Sequence, residues 1–234
     1  MILKKLFEKY DRIVFFDTET TGLDATSEQI IELAVVTIDR DGSEQEWDRF
    51  ISLYAHENVP EKIQELTGIT DEMLLKEGQS EEAVIRSFMG LITEHTLLVA
   101  YNAQFDLDFV THAVMRSAKD ELRKYAGIDY LDPLTVFKDR KAFPHKLCDA
   151  IKHYMVEEQN THRAIDDVHA LVSVTIGMEQ ERNDVYKYVN LFGYNPKYGI
   201  PERQFKRVTY YPQPHGAPKL PFEILPYKAG TFVA

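Results

Sequence analysis

Asp17 and Glu19 stand two residues apart at the end of an apolar run that begins at Arg12. In an extended strand, residues two apart share a face, so both carboxylates can reach a single ion. A carboxylate placed beside Phe15 and Phe16 is costly unless positive charge compensates it. Alone, the pair also reads as acids fraying into a loop. Asp106 follows a short apolar run, Leu97 to Tyr101, and falls in the first turn of the next helix, where the macrodipole favours an acid whatever its use. Asp108 has that second reading and no other. Asp167 precedes Leu171 by four residues and Val174 by seven, which puts it on the inward face of a helix beginning near Ala164. Asp166 is turned away from it by about 100° toward solvent. His162, in the loop before that helix, is close enough in the chain to share a site with Asp167.

Each feature is weak alone; together they describe one chemistry. Four inward carboxylates gathered in one place repel and raise each other's pKa. Divalent cations remove that penalty. Hard cations take carboxylate oxygens, and two of them about 3.5–4 Å apart clamp the attacking and leaving oxygens of a phosphoryl displacement. Such a site also needs a base for the attacking water, and a histidine titrates in the right range.

The elements that must position these residues are legible from period and turn chemistry. Residues 12–18 read as a buried strand broken by Thr20, Thr21 and Gly22. Ile30 to Ile38 is a second strand, Asp39 to Gly42 a hairpin turn, and Ser43 to Ile51 its return, so the fold opens on an antiparallel meander. The period then changes. Pro60 opens a helical stretch that Gly68 stops, and Ser80 caps a helix carrying Val84, Ile85, Phe88, Leu91 and Ile92. A strand at Leu97 to Tyr101, a helix near residues 105–117, a strand around Tyr130 and Leu131, and helices at 146–154 and 164–180 complete the order β-β-β-α-β-α-β-α-α. That order gives an α/β architecture, a mixed central sheet of about five strands flanked by helices. Seven of the ten prolines lie beyond residue 195, among many tyrosines, so the C-terminal stretch is no regular helix and is expected to wrap the domain or extend as an arm.

Composition bounds the function. The 234 residues suffice for one α/β domain with a sizeable core. No apolar run is long enough to span a bilayer and the N-terminus lacks a signal-peptide core, so no membrane partner is expected and a cytoplasmic location is. Cys148 is the single cysteine; it reads as a buried, inert thiol and excludes a multi-cysteine zinc site. The histidines other than His162 lack metal-ligand spacing and read as surface or packing residues. A net charge of −11 argues against a simple nucleic-acid-binding module, but less so against an enzyme that meets phosphate through bound ions. From Tyr186 onward the balance is basic, and Arg203 to Tyr211 interleaves cations with aromatics, which suits either base stacking or packing on the domain.

Three motifs carry a resemblance: Asp17 to Leu23 (Asp-Thr-Glu-Thr-Thr-Gly-Leu), Asn102 with Phe105 and Asp106, and His162 with Ala164 and Asp167. In this order they resemble the three exonuclease motifs of the DEDDh family, which includes bacterial DNA polymerase III proofreading subunits and domains. Ile63, Leu66, Thr67, Gly68, Ile69 and Thr70 also resemble a loop of the proofreading group. The resemblance covers roughly residues 10–180. It implies an RNase H-like fold, two Mg2+ or Mn2+ ions, and 3′→5′ hydrolysis releasing nucleoside monophosphates. It implies that Asp17 bridges both ions, that Glu19 and Asp167 complete the first, that Asp106 supports the second, and that His162 is the base. A sister group has tyrosine four residues before the last aspartate; Arg163 stands there here, which indicates the histidine variant.

By the same resemblance Thr20, Thr21, Gly22 and Leu23 receive the terminal nucleotide, with Gly22 letting backbone approach the sugar and Leu23 set beside a base. Leu66, Thr67 and Ile69 line that pocket by analogy, and Asn102 and Phe105 complete the substrate set. Residues 1–185 then form the exonuclease domain and 186–234 a Pro/Tyr-rich basic extension. The expected partner is the single-stranded or frayed 3′ end of DNA, with a polymerase as a possible second. Alternatives are an RNA-trimming member of the family, a catalytically silent binding module, and an α/β protein with coincidental acids; metal-dependent release of mononucleotides separates them.

Overall fold

The computed structural model describes residues 2–157 and 162–213. A short helix, Lys4–Phe7 (α1), precedes three strands: Arg12–Thr20 (β1), Ile30–Asp39 (β2) and Glu44–Phe50 (β3). Helices Glu61–Thr67 (α2), Asp71–Glu77 (α3) and Glu81–Leu91 (α4) lead to strand Thr96–Val99 (β4). Ala103–Ser117 (α5) and Leu122–Tyr125 (α6) come before Asp129–Leu131 (β5). Pro133–Arg140 (α7), Leu147–Tyr154 (α8) and Ala164–Glu181 (α9) follow, then two short strands, Leu191–Tyr194 (β6) and Thr209–Pro212 (β7).

The main sheet has the order β3-β2-β1-β4-β5. β1 to β3 form the antiparallel meander, while β4 and β5 run parallel to β1. Strand alternation divides β1 between two cores. Ile13 and Phe15 face a layer that includes α9, whereas Val14 and Phe16 face one that includes α4 and α5. The buried stripe of α9, with Ala164, Val168, Leu171 and Val174, fills the first layer. A third, smaller cluster of Ile31, Val59, Ile69 and Leu74 ties α2 and α3 to the sheet.

The parallel pairing of β1 with β4 stops at Phe15 and Val99, while β1 runs on against β2 as far as Thr20. A crevice therefore opens at the carboxyl ends of two adjacent parallel strands, the usual place for a ligand in an α/β sheet. Asp17 and Glu19 project from β1 beyond that divergence, and the chain leaving β4 carries Asn102 to Asp106 past it.

Several elements go beyond the sequence expectation. β1 does not break before its second carboxylate but continues through Thr20, held by the ladder to β2, with an irregularity between Glu19 and Thr20. α7 was signalled by Asp132, whose side chain accepts from Leu134 N, with Pro133 at the first helical position. α3 was signalled by Thr70, which accepts from Met73 N at 3.3 Å. The described part of the C-terminal stretch is not an arm. β6 and β7 pair in parallel, Phe205 packs on Tyr130, Arg207 pairs with Asp129, and the hydroxyls of Tyr210 and Tyr211 donate to Gln104 and Asp139. These aromatics and Arg207 are engaged by the domain rather than presented to bases. The extension beyond residue 213 lies outside the described residues. Cys148 is half-buried rather than fully enclosed. Among the described residues no helix is long and apolar enough to cross a membrane.

Candidate active site

Asp17, Glu19 and Asp167 each offer a carboxylate oxygen, and these three oxygens lie within 4.8 Å of one another. The strand period brings the first two to one face of β1, and α9 packs on that face with Asp167 in its first turn. Asp106 arrives from the opposite layer. Its helix, α5, covers the Val14–Phe16 face of the sheet, so it reaches the crevice from the other side of β1. There Asp106 Oδ1 accepts from Thr18 N at 3.1 Å and Thr18 Oγ1 at 2.7 Å. Past Phe15, β1 has no parallel neighbour among the described residues, and the open ladder edge at Thr18 finds its acceptor in Asp106.

The electrostatics of these acids follow from crowding in a poorly solvated crevice. Asp17 is pushed well above its ordinary value by burial first, and then by Asp106, Glu19, Asp167 and Glu32. Glu19 is pushed up to about 8 by burial, then by Glu32, Asp167 and Asp106, against the pull of Arg163. Burial pushes Asp106 up to about 7, although the hydrogen bonds from Thr18 oppose it. A protein gains nothing from holding so many acids half-titrated near neutral pH unless cations take their charge. Oxygen-only donors fit hard divalent ions such as Mg2+ and Mn2+; Asp17, Glu19 and Asp167 offer the converging oxygens, and Asp106 is not among the three that meet within 4.8 Å.

His162 is exposed, with a left-handed φ of 59°, two residues before α9 begins. Two residues that sequence reasoning did not place in the site hold this loop. Glu32, near the start of β2, is 0% exposed and accepts from Arg163 Nε at 2.9 Å, from its terminal nitrogen at 2.6 Å and from Ala164 N at 2.9 Å. The clamp fixes the backbone between His162 and the first turn of α9. The available signal was a lone acid inside an otherwise apolar strand, which must find a cation or donors.

The expected substrate residues separate. Leu23 is 88% exposed and, with Phe105, borders a cavity of about 480 Å³. Thr20 Oγ1 donates to the Gly22 carbonyl at 2.7 Å, and Thr21 Oγ1 donates to Glu28 at 2.5 Å. Glu28 also contacts His56 Nε2 at 2.6 Å. A Cβ at Gly22 would fall 2.8 Å from Glu28 Cδ, the far end of a flexible side chain that can turn away, so sterics alone do not demand glycine there. Asn102, with a φ of 64°, begins α5, and its N–H donates to Asp132 Oδ1 at 3.0 Å. Leu66 and Thr67 do not line the Leu23 cavity. Thr67 is buried and bonded within its own turn, to Ile63 O at 2.8 Å and from Ile69 N at 3.1 Å, and Ile69 is a core residue.

Comparison with known proteins is consistent with this geometry. The family model RNase_T, described as Exonuclease, matches residues 14–175. The DNA polymerase III subunit epsilon of Treponema pallidum is 30% identical over 169 residues, 71% of this chain and 77% of that protein. The DNA polymerase III PolC-type of Halalkalibacterium halodurans is 39% identical over 158 residues, 67% of this chain but 10% of that protein. The chain thus spans about a tenth of the PolC-type relatives it matches. A crystal structure of E. coli Exonuclease I in complex with a dT13 oligonucleotide superposes with a TM-score of 0.67 at 17% identity, over 76% of this chain and 43% of that one. That likeness concerns the fold.

Proposed function

The chain belongs to the exonuclease family, and from that premise we propose that it removes nucleotides one at a time from the 3′ end of single-stranded or frayed DNA, releasing nucleoside monophosphates. The observation that carries this reading is the convergence of three carboxylate oxygens within 4.8 Å at the crevice, with Asp106 alongside. DNA is favoured as substrate because the relatives are named as DNA polymerase III components and a protein of like fold is described with dT13.

Two divalent cations, Mg2+ or Mn2+, held by Asp17, Glu19, Asp106 and Asp167, supply the positive charge that a phosphodiester under attack requires. Around that centre the protein's own groups have separate tasks. His162 accepts the proton of the attacking water at a ring nitrogen, and its exposure lets it return that proton to solvent. Thr18 keeps Asp106 directed into the crevice. Glu32 and Arg163 hold the loop that carries His162 to the start of α9. Leu23 and Phe105 offer apolar surface to the departing nucleotide.

The test is release of mononucleotides from a uniformly labelled DNA strand and stepwise shortening of a 5′-labelled one, beside RNA strands of equal sequence, with Mg2+ or with chelator. DNA is expected to be shortened from its 3′ end only when metal is present. His162→Ala is expected to slow release by about 10²–10⁴-fold, the usual contribution of a positioned base, and Asp17→Ala to abolish it. Release that ignored chelator, or survived both substitutions, would refute the assignment; faster loss of RNA would redirect it to the other nucleic acid.

A further inference from the structure

The cavity of about 480 Å³ beside Leu23 lies between the loop after β1, the helix α5, and the C-terminal segment at Glu202 and Arg203. Its size is that of a small-molecule subsite. The last two residues lie past residue 175, where the match to the family model ends.

Arg203 is fixed against α5 at three points. Gln104, Asp108 and His112 are spaced by four and therefore stack on one helix face. Gln104 Nε2 donates to the Arg203 carbonyl at 3.0 Å, Arg203 Nε lies 3.5 Å from Asp108, and the guanidinium donates to His112 Nε2 at 2.7 Å. Burial first, then the cations Arg203 and Arg116, hold His112 below its ordinary value, which suits an acceptor. Three tethers on a segment with no regular structure of its own argue for a wall held in shape.

Charge decides what the wall faces. Asp24, Asp108 and Glu202 set three carboxylates around the cavity against one guanidinium, so a phosphodiester is repelled. A nucleobase is neutral. Its faces suit Leu23 and the partly exposed ring of Phe105, which is backed by the buried Phe109 at a centroid distance of 5.0 Å. Its edge must then meet carboxylates, which only accept hydrogen bonds. Asp108 Oδ2 accepts from Gln104 and Asp24 Oδ1 accepts from Thr26 N and Oγ1, so the acceptors turned to an incoming base at the exposed rim are Asp24 Oδ2 and the Glu202 carboxylate.

We propose that Glu202 and Arg203 complete a nucleobase subsite on this cavity, and that Asp24 and Glu202 make it favour bases with an exocyclic amino group over bases with a carbonyl in its place. The inference rests on the exonuclease reading above. Cytosine and uracil separate the two edges, since one presents an amino group at the 4-position and the other an oxygen.

Release is compared on deoxycytidine and deoxyuridine homopolymers of equal length at pH 8 with Mg2+, with a chelator blank. The full chain is expected to show a kcat/KM about fivefold higher on the cytosine strand, the low end of what one base-edge contact discriminates. The double variant Asp24→Asn, Glu202→Gln is expected to bring that ratio close to one, with thermal melting checking that the fold persists. Equal rates on the two strands in the unsubstituted chain overturn the subsite and leave the exonuclease reading standing, as does a preference that survives the double variant. Absence of chelator-sensitive release from either strand overturns the exonuclease reading, and the subsite with it.

Discussion

Glu32 is fully enclosed and yet surrounded by donors, with Arg163 and the Ala164 N–H all directed at its carboxylate. It also raises the pKa of Glu19, so it stabilises the loop while adding to the crowding of the site. Glu32→Gln keeps the shape and removes the charge that Arg163 answers. Losing a hydrogen bond to a charged group weakens folding by about 1.5–3 kcal/mol, so the midpoint of urea unfolding should fall. With the His162 loop loosened, kcat should drop by about tenfold, within the range seen when a supporting partner of a site is removed, while KM changes little. A KM rise with kcat intact would assign Glu32 to substrate binding instead. Thr18→Val tests the other side of the crevice. It deletes the 2.7 Å hydroxyl contact to Asp106 at nearly constant volume. The Mg2+ concentration for half-maximal activity should rise several-fold, and a metal titration that matched the unsubstituted chain would show that Thr18 does not orient Asp106. The four acids could be read from the chain because each occupies a position of known direction, alternate on a strand or in the first turn of a helix. Glu32 could be read only as an anomaly, since nothing local identifies its partner across 131 residues.

At the scale of elements, local chemistry was decisive and pairing was not. The hairpin at Gly42, the stop at Gly68 and the cap at Ser80 are each set within a few residues, and each is found where local rules place it. The point at which β1 parts from β4 depends on where two distant strands stop meeting, which no short window contains. β6 ends just before the proline-rich stretch and β7 lies within it, and both short strands exist because tertiary partners hold them. One of those partners is Asp129 on β5, which joins the N-terminal region to the C-terminal segment. Its carboxylate accepts from Lys9 at 2.8 Å, Tyr10 at 2.7 Å and Asn190 at 2.7 Å, and pairs with Arg207. Burial works against the charged form, but the hydrogen bonds from Lys9, Asn190, Tyr10 and Arg207 outweigh it and hold the carboxyl below its ordinary 3.8. A folded-state pKa below the unfolded one means a stabilisation that is complete above about pH 4 and is lost as pH falls through the folded value. Asp129→Asn should therefore lower the urea midpoint clearly at pH 7, and the difference from the unsubstituted chain should narrow below pH 4. A gap constant from pH 7 to pH 3 would mean that the residue acts by packing and not by charge.

For the molecule as a whole, a net charge of −11 and a polyanionic substrate look incompatible until the ions are counted with the protein. Without them, the folded state must confine Asp17, Glu19 and Asp106 against their mutual repulsion, while the unfolded chain lets each ionise freely. Their folded pKa values are raised, to about 8 for Glu19 and about 7 for Asp106, so the sign is opposite to that of Asp129. Stability from the protonated forms is present below the ordinary carboxylate values near 4 and is lost as pH rises through 7 and 8. In chelator, the melting temperature should accordingly decline between pH 5 and pH 8.5. On the reading proposed above, Mg2+ would bind the folded site and not the dispersed acids of the unfolded chain, and at about 100 times its Kd it would add about 2.7 kcal/mol. For a domain of this length that corresponds to roughly 5–10 °C. The rise on adding Mg2+ should be largest near pH 8, where the acids would otherwise repel, and small at pH 5, where protons already occupy them. Melting curves with and without Mg2+ at the two values decide the matter. An equal rise at both would trace the effect to ions bound elsewhere on an acidic surface, and no rise at pH 8 would remove the electrostatic reason for placing four carboxylates in one crevice.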